Sequence, residues 1–264
     1  MTTTRTSPIS LERLGSLYER FHDDLERVRR YMRVLYASRY DSTRIRDNQQ
    51  LVAALSAELY LPYHAMTTSV AQFDDLEAEI TYLLLRDEEP ETVVEISPCG
   101  GWSTCWILNA LRDNGHGRVI SFDVIQDSLV KVPDDLAAGI RDFHLGDVKV
   151  SPHLPDSIDY CFLDSDHSAE FAHWYLGAVL PRVHSGAVVS VHDIFHPGGP
   201  DASGGEGTVV LEWLAQRDVP WLTVARSQDP ASYAKVTSFR NIRGAVTPVA
   251  PASTANPTVF FVAP

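Results

Sequence analysis

The sequence predicts an α/β fold, in which a mostly parallel seven-stranded sheet has helices on both faces and follows an N-terminal helical arm. Two patterns predict it. Apolar residues recur at alternating steps of three and four between Leu11 and Leu35, which is typical of one face of a long helix. After residue 90, short runs rich in β-branched residues alternate with helical segments, as in parallel strands joined by helices.

The arm is expected to comprise residues 1–60. Its first helix carries the apolar stripe, begins near Pro8 or Ser10 and ends before Ser42, and a second helix is expected over 47–60. Pro62 ends the second helix, because proline lacks the amide proton that a helix interior requires. The stripe has two interpretations: it packs on the chain's own domain, or it forms the contact of a homodimer.

Charge is unevenly distributed along the chain. The formal net charge is −13, yet residues 1–50 contain ten arginines and only seven acidic residues. The acidic body makes a nucleic acid partner unexpected, because it would repel phosphates. No apolar run is long enough to predict a membrane span, and the first ten residues lack the apolar stretch of a secretion signal. Three cysteines without a CxxC pair favour reduced thiols, so a cytoplasmic protein is expected.

The second domain is expected to span 61–264 and to contain the sheet. Its predicted strands are Thr92–Ile96, Arg118–Asp123, Asp142–Leu145, Ile158–Asp164, Ala187–His192, Trp221–Ala225 and Thr258–Val262. Helices are predicted over about 103–112, 168–181 and 206–217. The segment 228–257 is rich in Pro, Ala and Ser, and we expect a long loop there.

In an open, Rossmann-like sheet, ligands bind beyond the carboxyl ends of the strands. The first strand is followed by a turn of small residues from Ser97 to Gly101, and Ser103 lies at a helix start. Helix-start amides favour a negative group, and a residue as small as Gly100 lets a ligand approach the backbone. Ser97 stands where the dinucleotide fingerprint GxGxxG needs its first glycine, which disfavours a pyrophosphate site. Glu95, at the strand end, suits a ligand with an ammonium group and hydroxyls.

The next two strand ends also carry candidate binding residues. Asp123 ends the second strand, where an acid commonly accepts hydrogen bonds from two ribose hydroxyls; alternatively, it caps the next helix. Asp147 and Val148 follow the third strand, and Val148 is placed to lie against an aromatic base. The alternative there is an ordinary Gly–Asp turn.

Acids and histidines follow the fourth and fifth strands. Asp164, Asp166 and His167 come at the end of the fourth strand, and His192 and Asp193 come at the end of the fifth. Isolated buried charges are costly, so this group favours a function over a place in the core. Adjacent strand ends would bring Asp164, His192 and Asp193 together, either as ligands of a divalent ion or as a hydrogen-bonded His–Asp pair without metal.

Together these features resemble the class I S-adenosylmethionine-dependent methyltransferases, and among them the cation-dependent O-methyltransferases that act on catechols and caffeoyl-coenzyme A. The resemblance runs from about residue 60 to residue 195. The segments that carry it are Met66–Ser69 with Phe73, Glu95–Ser103, Asp123 and Leu163–His167.

The resemblance implies roles for the matching residues. The cofactor site would be lined by Thr68, Glu95, Ser97, Ser103, Asp123, Val148 and Asp166, with Gly100 and Asp147 in the same turns. Asp164 would be the first metal ligand. This sequence departs from the family in three places, since Ser97 replaces a glycine, His192–Asp193 replaces Asp–Asn, and His167 replaces the family's catalytic lysine.

The expected function is therefore transfer of a methyl group from S-adenosylmethionine to a hydroxyl of a small metabolite, as in antibiotic biosynthesis. His167 or His192 would act as the base, since imidazole titrates near neutral pH. Mg²⁺ or another divalent metal, held by Asp164, His192 and Asp193, would orient the hydroxyl. The glycine-rich loop 196–207 is expected to be a lid over the site or, alternatively, a plain connection.

Three other functions remain open from the sequence. The first is an enzyme of the same fold that binds the same cofactor but catalyses a cyclisation, decarboxylation or rearrangement. The second is a non-enzymatic binding module that dimerises through the arm. The third is a nicotinamide dehydrogenase, which the absent GxGxxG disfavours. The acidic body also disfavours a polyanionic acceptor such as a coenzyme A thioester.

Overall fold

The computed structural model describes residues 8–41, 71–195, 205–250 and 255–264. The predicted helix over 47–60, the candidate cofactor residue Thr68 and most of the glycine-rich loop lie outside these ranges. No helix in the described ranges is both long enough and apolar enough to cross a membrane.

A seven-stranded sheet forms the centre of the molecule. Its strands are β1 (Thr92–Ile96), β2 (Arg118–Asp123), β3 (Arg141–Leu145), β4 (Ile158–Leu163), β5 (Val183–Val191), β6 (Trp221–Thr223) and β7 (Val259–Val262). Their order is β3-β2-β1-β4-β5-β7-β6. The first five strands are parallel, and β7 runs antiparallel to both of its neighbours. The predicted α/β fold with a mostly parallel, Rossmann-like sheet is therefore confirmed.

Helices cover both faces of the sheet. They are α1 (Leu11–Arg20), α2 (His22–Leu35), α3 (Asp75–Glu88), α4 (Trp102–Asn114), α5 (Ser128–Lys131), α6 (Asp134–Ala137), α7 (Ala169–Ala178), α8 (Glu206–Ala215) and α9 (Pro230–Arg240). Neighbouring strand residues point to opposite faces. Val93 packs in one core with α3, α4 and the arm, whereas Val94 packs in the other with α7 and α8.

Two helices differ from the sequence expectations. The segment 228–257 was expected to be a loop, but α9 occupies much of its first half, so that expectation is wrong. The side chain of Asp229 accepts a hydrogen bond from the amide of Ser232, and Pro230 fits the first turn, where no amide proton is needed. Helix α3 was not predicted. It begins with a capping box, in which Asp74 and Glu77 satisfy each other's backbone amides.

The arm packs on its own chain. Its predicted long helix is divided at Phe21 into α1 and α2, and a π-helical segment, Tyr36–Tyr40, follows α2. The apolar stripe is buried in one core with α3 and α4, so the described part of the arm follows the first of its two interpretations. Its stripe is thereby covered within the chain and is not an exposed dimer surface.

Ion pairs explain the uneven charge of the sequence. Arginines of the arm meet carboxylates of the body, as in Arg13–Asp87 at 2.7 Å and Arg27–Asp113 at 2.8 Å. Arginines in the described part of the arm, 8–41, thus face part of the negative charge of the sheet domain.

Candidate active site

The turn after β1 is held in a conformation that L-residues rarely adopt. Ser97 has a φ of +63° and Cys99 a φ of +48°, both in the left-handed region. The amide of Ser97 donates to the carbonyl of Phe122 at 2.8 Å, which ties the turn to the end of β2. A side chain at Gly101 would not fit, because its Cβ would lie 2.4 Å from Val132 Cγ2. Glycine adopts a positive φ without strain, which explains why the family that this sequence resembles has a glycine in place of Ser97.

Glu95 lies beneath this turn and is fully buried. Its carboxylate accepts hydrogen bonds from the hydroxyls of Ser103, Thr104 and Ser121 at 2.8–3.0 Å. Burial raises the pKa of Glu95, although these hydroxyls partly offset the effect. In this arrangement Glu95 and Ser103, two predicted cofactor residues, bind each other and fix the start of α4.

Asp123 connects two turns at the same edge. Its Oδ2 accepts from the amide of Cys99 at 2.8 Å, and its Oδ1 accepts from the amide of Ile125 at 3.1 Å. Burial raises the pKa of this carboxyl group, and the hydrogen bonds from the amides oppose the rise. The structure thus places Asp123 next to the turn after β1, as the sequence predicts for neighbouring strand ends.

Three further candidates are Val148, Asp147 and Asp166. Val148 is buried in the core with Phe122, whereas Asp147 is exposed and its side chain accepts from the amide of Lys149. Asp166 is exposed and accepts from the amide of Ser168 at the start of α7. The structure therefore gives Val148 a role in the core and Asp147 and Asp166 roles in turns.

The ends of β4 and β5 bring acids and an imidazole together. His167 Nε2 lies 3.8 Å from Asp164 Oδ1 and 3.5 Å from Asp193 Oδ2. One potential ligand atom from each of these residues lies within 4.8 Å of the others. His167 and Asp193 have φ values of +55° and +59°. Such backbone strain costs about 1–3 kcal/mol per residue and is frequent at functional sites.

A buried glutamate orients His167. Glu206 Oε2 lies 2.8 Å from His167 Nδ1, and Tyr175 donates its hydroxyl proton to Glu206 Oε1 at 2.8 Å. Burial lowers the pKa of His167, but the carboxylates of Glu206, Asp164 and Asp193 outweigh it and raise the pKa above 6.5. The Glu206 contact favours a proton on Nδ1, so that Nε2 faces the two aspartates. The sequence analysis placed Glu206 in the glycine-rich loop and assigned it no role.

His192 lies beside Asp164 and Asp193, as the sequence predicts, and has Glu77 as a further partner. Its Nε2 lies 3.0 Å from Glu77 Oε1, and its Nδ1 lies 3.2 Å from Asp164 Oδ1 and 3.3 Å from Asp193 Oδ1. Burial lowers the pKa of His192, but Asp164 and Glu77 outweigh it and raise the pKa well above 6.5. A doubly hydrogen-bonded imidazolium has no lone pair for a metal or a substrate proton. The arrangement fits the alternative of a hydrogen-bonded His–Asp pair rather than the expected roles of His192 as base and metal ligand. His167, and not His192, belongs to the group that could hold a metal ion with the two aspartates.

Glu77 is a second residue that sequence reasoning missed. It lies on α3, and its Oε2 accepts the hydroxyl proton of Thr258 at 2.5 Å. The signal that marks it is the pair Asp74 and Glu77, which have the spacing of a capping box. That signal predicts a helix start here, but it does not reveal that Glu77, in the first turn of the helix, contacts His192.

Comparison with known proteins gives a family match in the same region. Residues 94–194 match the family model of a methyltransferase domain. This stretch includes the ends of the five parallel strands and the residues from Glu95 to Asp193 discussed above. No curated protein matches the chain significantly.

Solved structures with a similar fold include three methyltransferases. The O-methyltransferase TomG from Streptomyces achromogenes, involved in tomaymycin synthesis and solved with SAM, is 22% identical over 66% of this chain and 80% of its own, with a TM-score of 0.46. SAH-bound PaMTH1 from Podospora anserina is 13% identical over 74% of this chain and 80% of its own, with a TM-score of 0.49. An O-methyltransferase from Bacillus cereus in complex with SAH is 17% identical over 66% and 81%, with a TM-score of 0.46.

The matched residues 94–194 lie within the mostly parallel sheet, whose strand ends carry the predicted motifs. Residues 94–194 are thus similar to a methyltransferase domain, in agreement with the family that the sequence predicts.

Proposed function

We propose that this protein transfers the methyl group of S-adenosylmethionine to a hydroxyl of a small metabolite and that His167 accepts the hydroxyl proton. The observation that carries the proposal is the position of His167 Nε2, between the carboxylates of Asp164 and Asp193. This group adjoins the turn after β1, because the amide of Asp164 donates to the carbonyl of Ile96 at 3.1 Å. Donor and acceptor sites at adjacent strand ends can align the two reactants.

The cofactor would occupy the edge formed by the ends of β1, β2 and β3. The turn Ser97–Gly101 and the start of α4 offer backbone groups to its methionine end, and Asp123 offers a carboxylate to its ribose. Val124 and Leu145 are largely exposed apolar side chains beside Asp123 and suit the adenine ring. They replace Val148, which the sequence analysis had proposed for that contact.

The proton transfer follows from the geometry around His167. In the proposed reaction, the acceptor oxygen attacks the methyl carbon, the sulfonium C–S bond breaks and the hydroxyl proton moves to Nε2. The products are the methyl ether, S-adenosylhomocysteine and an imidazolium. Glu206 would hold the ring in place through Nδ1 and stabilise the imidazolium that forms.

The donor set at the strand ends also fits a divalent cation. Two carboxylates and an imidazole lie within reach of a single ion, and such oxygen and nitrogen ligands suit Mg²⁺ or another divalent metal. We propose Asp164 and Asp193 as the residues that would hold it. A cation bound there would lower the pKa of the acceptor hydroxyl.

The acceptor is proposed to be a small molecule that is not polyanionic. Asp164, Asp193, Glu77 and Glu206 surround the proposed acceptor site and would repel phosphate groups. In the described part of the arm, 8–41, arginines such as Arg13 and Arg27 are paired with carboxylates of the body, which leaves less positive charge for phosphates. This argument disfavours a coenzyme A thioester and leaves hydroxylated metabolites, including intermediates of antibiotic biosynthesis.

Calorimetric titration of the purified protein with S-adenosylmethionine tests the cofactor assignment. We expect saturable binding, and no heat at high micromolar cofactor would contradict the proposal. Incubation with a panel of catechols and other hydroxylated metabolites should yield S-adenosylhomocysteine and a methylated product. Methylthioadenosine in place of S-adenosylhomocysteine would indicate a non-methylating reaction of the same cofactor.

Chelation tests the cation separately. We expect that removing divalent ions lowers the rate and that Mg²⁺ restores it, whereas an unchanged rate would refute the cation site and leave proton transfer to His167. The variant Asp164→Asn should abolish activity. Asp156→Asn is a matched control because that side chain is 99% exposed and lies outside the site.

A further inference from the structure

We propose that the end of the arm is part of the cofactor site and that Tyr40 is a positioning residue for the turn after β1. Its hydroxyl would hold that turn in the shape that binds S-adenosylmethionine. This inference depends on the proposed function, because it assumes that the turn receives the cofactor. It gives the arm a role in cofactor binding, which is distinct from packing and from dimerisation.

The contact joins a buried side chain to the backbone of the turn. Tyr40 is 1% exposed, and its hydroxyl donates to the carbonyl of Gly100 at 2.8 Å. Its ring meets Trp102, the first residue of α4, edge to face at a centroid distance of 4.8 Å. Tyr40 therefore contacts both the turn and the helix start, which are the two elements proposed to hold the methionine end of the cofactor.

The local backbone also sets the arm's end apart. Tyr36–Tyr40 is π-helical. Such turns are rare in proteins, and those that do occur are often found at functional sites. Tyr36 lies on the same segment and makes a second edge-to-face contact with Trp102, at 6.0 Å. The π-helical segment thus directs two tyrosine rings to the start of α4.

The turn needs support from outside its own segment. Left-handed φ values at Ser97 and Cys99 are unfavourable, and such strain persists only where the surroundings over-determine the conformation. Asp123 supports the turn from β2 by accepting the amide of Cys99. Tyr40, which belongs to the arm, supports the turn at Gly100. The conformation of the turn therefore depends on contacts from two separate elements.

The position of Tyr40 does not depend on its hydroxyl alone. Arg39 donates to the carbonyl of Val130 at 3.0 Å, and the amine of Lys131 lies 5.2 Å from the centre of the Tyr40 ring. Replacing Tyr40 with phenylalanine would keep these contacts and the ring packing. It would remove only the contacts of the hydroxyl, which are the hydrogen bond to Gly100 and a longer contact of 3.8 Å to Cys105 Sγ on α4. Tyr40→Phe is thus a specific probe of the positioning role.

Tyr18 provides a matched control on the same arm. It is also a buried tyrosine, but its hydroxyl donates to Glu79 Oε2 on α3 at 3.2 Å, away from the turn. We expect Tyr40→Phe to raise the Kd of S-adenosylmethionine about five- to tenfold, the equivalent of one lost hydrogen bond. The kcat at saturating cofactor should stay within about twofold, because the acceptor site is not altered. Tyr18→Phe should lower the thermal midpoint and leave the Kd unchanged.

Hydrogen exchange in the cofactor-free protein supplies a readout that does not need the cofactor. Exchange over 97–101 should be faster in Tyr40→Phe and unchanged in Tyr18→Phe. Unchanged Kd and exchange in Tyr40→Phe, or equal weakening of binding by both variants, would overturn the positioning role. Failure of the wild-type protein to bind S-adenosylmethionine would instead refute the proposed function, and the exchange comparison would still decide whether Tyr40 holds the turn.

Discussion

Two carboxylate-rich regions of the molecule use different partners for their acids. At the contact between arm and body, acids meet arginines, as in Arg29–Glu79 at 2.5 Å. At the carboxyl edge of the sheet, Asp164 and Asp193 meet the imidazoles of His167 and His192. A guanidinium keeps its charge at every pH that a folded protein experiences, whereas an imidazole gains and loses a proton near neutrality. The first region can therefore only hold elements together, and the second can move protons.

The backbone shows the same difference. Ser97, Cys99, His167 and Asp193 lie at strand ends and have left-handed φ values. In the described part of the arm, 8–41, no residue has a positive φ. Strain at the sheet edge fits a catalytic role there, and relaxed helices at the arm contact fit a structural role.

The largest expected effect separates the two regions by activity. His167→Ala should lower kcat about 100- to 10,000-fold, the usual contribution of a positioned general base. Its thermal midpoint should fall, because the buried Glu206 loses its imidazole partner and keeps the hydroxyl of Tyr175, so kcat is to be measured below the midpoint of the variant. His173→Ala is the control, because His173 is an exposed residue of α7 outside the site and should be fully active. Full activity of His167→Ala in a kinetic assay would remove the base from the proposed mechanism.

The next effect concerns stability at the arm contact. Arg29→Met removes the partner that contacts both oxygens of the buried Glu79 and leaves Arg240 at one of them. Breaking a buried pair costs about 3–5 kcal/mol of unfolding free energy, and the remaining Arg240 puts the expected loss at the lower end of that range. Arg27→Met is the control, since Arg27 is 49% exposed while the Arg29 side chain is 1% exposed. An exposed pair contributes at most about 1 kcal/mol. Urea unfolding measures both variants, and equal losses would show that burial does not distinguish these ion pairs.

The third effect is a pH dependence where the two regions meet. Lys131 lies buried under Tyr40, and burial lowers its pKa from 10.5 to about 8. Between pH 8 and 10.5 the unfolded chain therefore binds more protons at Lys131 than the folded protein does, so this residue makes stability rise with pH. The unfolding free energy of the wild type, compared with that of Lys131→Met, should increase by at most about 1.4 kcal/mol per pH unit in this window. A difference that does not change with pH would contradict the lowered pKa.

The sequence predicted where the functional side chains lie better than it predicted which residues contact them. The sheet pattern placed Glu95, Asp123, Asp164 and Asp193 at strand ends, because strand length and β-branched runs are local properties. Their contacts are not local. Glu77, which binds His192 Nε2, lies 115 residues away in the sequence and belongs to an unpredicted helix. No local pattern indicates that both ring nitrogens of His192 are hydrogen-bonded to carboxylates. The sequence therefore led to the expectation that His192 is the base or a metal ligand.

Helix boundaries show the same limit. The arm's periodicity predicted a buried face but not the division at Phe21, since neither glycine nor proline marks that position. The segment that contains α9 has a loop-like composition, but Asp229 and Pro230 are a helix start signal that composition hides. Helix α3 was missed because Asp75, Glu77 and Glu79 resemble a solvated surface, although all three are buried. Their arginine and histidine partners become visible only in three dimensions.

Helix α3 has a consequence for attempts to alter this enzyme. Glu77 contacts His192 at the proposed acceptor site, and two residues further along the helix Glu79 contacts Arg29 of the arm. Because a helix is stiff, with a rise of about 1.5 Å per residue, a shift of the arm on α3 also moves Glu77. Substitutions in the arm, remote from the reacting atoms, would thus change turnover. A mutant library confined to the strand ends would therefore miss substitutions in the arm that help the protein to accept new acceptors.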